Sequence, residues 1–210
     1  MIYKDLMLLK TQWKFFISFV AIAIIMQATM ENSDFVLGYL TICGSMMVLN
    51  TISYDEYDNG NAFLFSLPVS RKSYVLEKYA FAFLTGGAAW LVAVISAVIF
   101  NAIKAEASVN EILISAPAYL IVLTLVLSLV LPLRLKFGGE KLMFVYIGIG
   151  GGAMIIGFLL KWLGFDFSRA VKFLSGIGIV GTLAGLAVIA AIVLAVSYRI
   201  SLMIMSKKEF

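Results

Sequence analysis

Histidine is absent from this 210-residue chain, cysteine occurs once and proline three times. Without histidine no Ser-His pair can form for acyl transfer, and no His/Cys metal cluster can be built. The lone Cys43 lies inside an apolar run, so there is no disulfide framework and nothing to read about redox compartment. Charge is scarce as well. Asp, Glu, Lys and Arg make up 13% of the residues, against roughly a quarter in an ordinary soluble domain. No Gly-x-x-x-x-Gly-Lys-Ser/Thr loop occurs, which excludes nucleotide binding by that motif.

What fills the chain instead is apolar: 62% of residues are hydrophobic and the mean hydropathy is +1.03. This composition is that of an integral membrane protein. A hydrocarbon core about 30 Å thick takes about 20 residues per helical span, so six spans and short loops use up the length. The chain therefore reads as one transmembrane domain, 1–210, with no separate soluble enzyme domain. The net charge of +4 reflects loops facing anionic lipid rather than a nucleic-acid surface, since no basic soluble domain accompanies it.

Apolar runs fall at 15–30, 35–53, 79–100, 112–133, 142–160 and 173–198. They are continuous and long, which favours helices over the ten-residue alternation of barrel strands. The expected fold is thus all-α, with six transmembrane helices. The first run is expected to be a retained span, because no small-residue cleavage site follows it. Twelve of the sixteen Lys and Arg cluster near residues 4–14, 71–78, 134–141 and 199–208, on one side of that layout; the other four, Lys104, Lys161, Arg169 and Lys172, fall opposite. The basic side is cytoplasmic, so both termini are expected inside.

Residues 1–14 mix Ile2, Tyr3, Leu6, Met7, Leu9 and Trp13 with Lys4, Asp5, Lys10 and Lys14. Two readings stand: an amphipathic helix lying in the cytoplasmic interface, or an extension of span one anchored by Trp13. Glycines spaced by four, Gly148 with Gly152 and Gly181 with Gly185, suit close helix packing. Packing within the subunit is the favoured reading, with a hinge or subunit interface as the other.

The span interiors are almost free of ionisable groups, which argues against ion-coupled transport and against an aspartyl pair. Gln27 and Asn50 are polar residues in spans one and two, candidates for lining a path and equally for helix–helix hydrogen bonds. The segment "DEYDNG" resembles a calcium loop only faintly, and Tyr57 occupies a position that needs an oxygen ligand. No metal site is expected.

The polar stretch from Tyr54 to Tyr79 interrupts this pattern. Asp58-Asn59-Gly60 signals a turn, the run Ala62 to Leu67 can form only a short helix before Pro68, and Ser70 is placed to cap span three. Phe63, Leu64, Phe65 and Leu67 are apolar on too many sides for water alone. Headgroup contact would accept them, but Asp55, Glu56 and Asp58 favour a basic protein surface over anionic lipid. A protein partner is the preferred reading.

With "SLPVSRKSYVLEKY" at 66–79 and "LPLRLKFGGEK" at 131–141, the chain resembles the permease subunits of type-2 ABC exporters across essentially its whole length. The resemblance implies a homodimer or heterodimer of permeases in a bacterial plasma membrane, exporting an amphipathic or hydrophobic solute such as a peptide. It implies separate ABC ATPase subunits that bind the ATP and Mg, with no cofactor and no catalysis in this chain. The short helix becomes a coupling helix, with Asp58, Asn59, Gly60, Phe63, Leu64, Leu67 and Pro68 at the ATPase contact. Lys136, Phe137, Gly138, Gly139, Glu140 and Lys141 match a second cytoplasmic motif, structural or interface-supporting. The alternatives are a non-transporting scaffold that recruits a cytoplasmic partner and, third, an intramembrane enzyme.

Overall fold

A computed structural model describes residues 2–11, 13–29, 34–57, 60–104, 109–162 and 178–208, all helical apart from short connections. The helices are α1 (Ile2–Thr11), α2 (Trp13–Thr29), α3 (Asp34–Glu56), α4 (Gly60–Ser66), α5 (Arg71–Lys104), α6 (Val109–Trp162) and α7 (Ile179–Lys207). No strand occurs among the described residues. Four segments are long and apolar enough to cross a membrane: Asp34–Glu56, Arg71–Ile103, Asn110–Gly139 and Ile179–Lys207. A fifth results if α1 and α2 count as one span bent by 64°. The expected run at 142–160 is helical and continues α6 beyond Gly138. The expected sixth span is described only from residue 178.

Packing organises the bundle in two layers along its length. One core gathers Val48, Ile52, Tyr74, Val75, Phe81, Leu127 and Leu131 from the end of α3, the start of α5 and the middle of α6, together with Met205 of α7. The other joins Ala23, Val36, Leu37, Leu40, Ala93, Ala97 and Ile112 at the opposite ends. Small residues let α3 and α5 approach closely: a Cβ on Gly44 would lie 2.3 Å from Ala89 Cβ. Gly86 is similarly pressed against Leu123 and Ser45. Intramolecular packing therefore uses these glycines, whereas a Cβ at Gly185 would meet nothing within 4 Å. The expectation of packing within the subunit is corrected at Gly185, because no described neighbour reaches it. Of α7, only Ala190, Ser197, Ser201 and Met205 are buried.

Two prolines sit inside α6, at 117 and 132. Proline has no N–H, so Pro132 leaves the carbonyl of Ser128 without its helical donor. Ser197 of α7 supplies one, its Oγ donating to Ser128 O at 2.5 Å. The Tyr79 hydroxyl of α5 lies 2.6 Å from Ser197 Oγ and 2.9 Å from Ser201 Oγ, so a buried polar seam joins α5, α6 and α7. The seam satisfies groups that could not be left bare in an apolar interior.

α5, with 34 residues, is about 51 Å long, roughly 20 Å more than the hydrocarbon core. Its first turns can therefore project beyond the membrane, and the candidate site is built around them.

Candidate functional site

The turn from α3 to α5 is held by short-range rules first. Gly60 opens α4 against the end of α3, where a Cβ would come within 2.8 Å of the Asp55 carbonyl. After α4 the Val69 N–H donates to Leu67 O at 2.6 Å, turning the chain at Pro68. Ser70 then caps α5, its Oγ accepting from the Ser73 N–H at 3.1 Å, as expected from sequence. Arg71 reaches back to donate to the carbonyls of Met205 and Ser206 at 3.0 and 2.7 Å, capping the C-terminal end of α7.

α4 has two faces. Asn61 is buried, and Leu64 and Phe65 pack on the core formed by α3, α5 and α6, with the Phe65 ring edge-on to Tyr74 at 5.6 Å. Phe63 is 70% exposed and Leu67 45% exposed on the other side. Leu64 thus anchors the helix, while Phe63 and Leu67 are presented outward. Pro68 is exposed in the turn. Asp58 and Asn59, expected at the same contact, lie outside the described residues.

Beneath α4 is a cluster of charge. Lys78 is fully buried and its Nζ lies 2.5 Å from Asp5 Oδ2, 2.8 Å from Asp55 Oδ2 and 3.1 Å from Thr51 Oγ1. Those three acceptors match the three protons of an ammonium. Asp55 also pairs with Lys4 and accepts from the Tyr74 hydroxyl at 3.2 Å. The ammonium of Lys78 lies 5.3 Å from the centre of the Tyr74 ring. Glu77 adds a further carboxylate 3.6 Å from Lys78. One buried lysine thereby ties α1 and α3 to α5, directly under α4.

A second cluster holds the other motif. Arg134, 2% exposed, donates to Ser53 Oγ at 2.9 Å and pairs with Glu56 Oε2 at 2.9 Å. Lys208 lies 3.5 Å from the other Glu56 oxygen. Gly138 has φ +69°, where a side chain would be strained, and breaks α6 at this point. Gly139 follows because a Cβ there would sit 2.8 Å from Arg134 Nη1. The Gly138-Gly139 pair thus bends the helix and makes room for a buried guanidinium. Gly138, Gly139 and Lys141 share an open cleft of about 600 Å³ with Ser53, Glu56, Tyr57 and Arg134. Lys136 stays exposed, its ammonium 5.0 Å from the Phe137 ring centre. The Glu140 side chain lies outside the description.

Two sequence expectations change here. Asp55 and Glu56 do not face a basic partner surface, because Lys78, Lys4, Arg134 and Lys208 of the same chain neutralise them. The buried roles of Asp5, Lys78 and Arg134 were missed. The one available signal was Arg134 inside the apolar run Leu131–Leu135, where a charge is costly unless paired. Gln27 is buried near the end of α2, and Asn50 is exposed on α3, about 24 Å along that helix from its start beside α2. The two polar residues are not brought together. Among the described residues no group of three His, Cys, Asp or Glu could hold a metal ion.

The chain that carries these clusters matches one family over nearly its whole length: the profile of the ABC-2 family transporter proteins covers residues 1–206. The chain belongs to this family. It is a multi-pass membrane protein and a type-2 ABC permease subunit, a membrane transport component. No curated protein and no solved structure matches it. In the permease, then, α4 occupies the position of the coupling helix named by the resemblance, and α6 is bent within the second motif.

Proposed function

We propose that this permease is the membrane subunit of an ATP-driven exporter in a bacterial plasma membrane, moving an amphipathic or hydrophobic solute such as a peptide. The observation that carries the coupling is the division of α4 into an anchored face and an exposed face. Leu64 and Phe65 fix the helix to α3 and α5, so force applied at Phe63 and Leu67 is passed to the spans rather than absorbed by a loose loop. The ATPase subunit docks on Phe63, Leu67 and Pro68, with Gly60 setting the close approach to α3 and Asp58 and Asn59 completing the contact. ATP and Mg are bound by that subunit, and this chain contributes no catalytic group.

In this reading six spans cross the membrane with both termini in the cytoplasm. α1 lies in the cytoplasmic interface, bent away from α2 and pinned by Asp5 and Lys4. A second permease copy or a paralogue faces the lightly buried α7, and Gly185 leaves room for its close approach. The second motif, with Lys136, Gly138, Gly139 and Lys141, supports the contact by fixing the end of α3 through Arg134 and Glu56. Gln27 and Asn50 line the path at different depths.

Capture of the tagged permease from native membranes tests the docking. The wild type is expected to bring down a Walker-motif ATPase in stoichiometric amount, and Phe63→Asp with Leu67→Asp to lose it while keeping its helicity and thermal midpoint. An intact complex in that double variant would refute the docking face.

A further inference from the structure

A groove at the elbow between α1 and α2 takes no part in the docking described above. It has a volume of about 440 Å³ and is walled by Leu6, Leu9, Trp13 and Phe16 of the two helices at the bend and by Met47 and Leu84 of α3 and α5. Thr85 also borders it, but its hydroxyl already donates within its own helix, to Phe81 O at 3.0 Å and Ala82 O at 3.3 Å. Its proton is therefore committed, and Thr85 offers no donor to a ligand. Lys10 is the one charged residue lining the groove, and it is exposed. Among the described residues no carboxylate pairs with Lys10, although Lys4, Lys78, Arg134 and Lys208 are each paired.

We propose that the groove is a binding site for an anionic membrane phospholipid, with an acyl chain against Leu6, Phe16 and Leu84 and the headgroup phosphate on Lys10. A dry apolar slot with a single cation at its mouth is complementary to an amphiphile with one negative head. Trp13, 56% exposed beside the mouth, suits the headgroup depth at which aromatic rings collect. A zwitterionic lipid fills the slot equally well but brings its own cation to Lys10 and so loses the attraction. The occupant packs against Leu6 and Leu9 of α1, so it supports the docked position of α1 together with the Asp5–Lys78 pair.

The site rests on the reading of α1 as a cytoplasmic interfacial helix, which labelling of a cysteine introduced at Tyr3 checks independently. The permease, purified with its ATPase, is exchanged into vesicles of equal phosphatidylglycerol and phosphatidylcholine, extracted and analysed by native mass spectrometry. Phosphatidylglycerol is expected to be retained about tenfold over phosphatidylcholine. Lys10→Gln, a surface change that leaves the fold intact, is expected to bring that ratio close to one, and Ala88→Trp, which fills the groove that Ala88 lines, to reduce retention of both lipids. Equal retention by the wild type, an unchanged ratio in Lys10→Gln, or a bound peptide in place of phospholipid would overturn the proposal. Failure of the lipid preference with Tyr3 labelled from the cytoplasm counts against this site alone and leaves the placement of α1 standing.

Discussion

Lys78 illustrates how a charge can be kept where composition says it should not be. Its ammonium donates to Asp5 and Thr51 and pairs with Asp55 at 2.8 Å, so the desolvation cost of burial is offset by hydrogen bonds and opposite charge. Removing the ammonium leaves two buried carboxylates short of a partner. Lys78→Met is therefore expected to cost about 3–5 kcal/mol, read as loss of the thermal midpoint in detergent. Pairing also sets the pH response of α1. Burial raises the Asp5 carboxyl, but Lys78 outweighs it and holds the group below the ordinary carboxylate range. Burial likewise lowers the Lys4 ammonium, but the bond to Asp55 outweighs it and holds the group above its ordinary value. The Asp5 contribution is present above about pH 4 and fades as pH falls through its lowered value; that of Lys4 is present below about pH 10 and fades as pH rises through its raised value. Glu77, beside Lys78, works the other way: burial pushes its carboxyl up to about 7, so its ionisation weakens the cluster as pH rises from about 5 to 7. The docked position of α1 should thus be firmest near pH 5, weaken toward neutrality and loosen again in acid, with Asp5→Asn flattening the acid limb. Midpoints measured against pH check it.

Glycine at 139 is a residue whose role only the folded chain reveals. A methyl group at this position would press on Arg134 Nη1, so Gly139→Ala is expected to destabilise by about 1–3 kcal/mol. At Gly44 the clash is with Ala89, and there Gly44→Ala should be partly rescued by Ala89→Gly in a double-mutant cycle.

At the scale of elements, the sequence makes legible what periodicity and punctuation control. Four of the six apolar runs, at 35–53, 79–100, 112–133 and 173–198, fall on segments long and apolar enough to cross a membrane, Ser70 announced the start of α5, and Gly60 and Pro68 bracketed α4. What stayed hidden depends on partners distant in the chain. The cation that meets Asp55 comes from residue 78 and from residue 4, and the hydroxyl that repairs the Pro132 gap comes from residue 197. No local pattern encodes such pairs. The two faces of α4 were hidden for the same reason: Phe63 and Leu64 are equally apolar in sequence, and only packing separates the anchor from the exposed side chain. Leu64→Ala with Phe65→Ala is accordingly expected to lower the thermal midpoint, whereas Phe63→Ala should leave it within about 0.5 kcal/mol of wild type.

At the scale of the whole molecule, a bundle built around α3, α5 and α6 carries an α7 that packs on α6 and that the described residues leave largely exposed on its other faces. The arrangement fits a subunit that completes itself against a second copy. Topology is directly accessible, because Cys43 is the sole native thiol. In a Cys43→Ser background, cysteines placed at Met7, Phe63 and Met203 are expected to react from the cytoplasmic side, and one at Phe35 from outside. The central claim is that energy enters through the exposed face of α4. A photo-crosslinking residue at position 63 tests it most directly in the assembled, ATP-hydrolysing complex. The account predicts a covalent adduct between position 63 and the ATPase subunit, and none from position 65 on the anchored face. A complex that hydrolyses ATP yet gives no ATPase adduct from position 63 would contradict it.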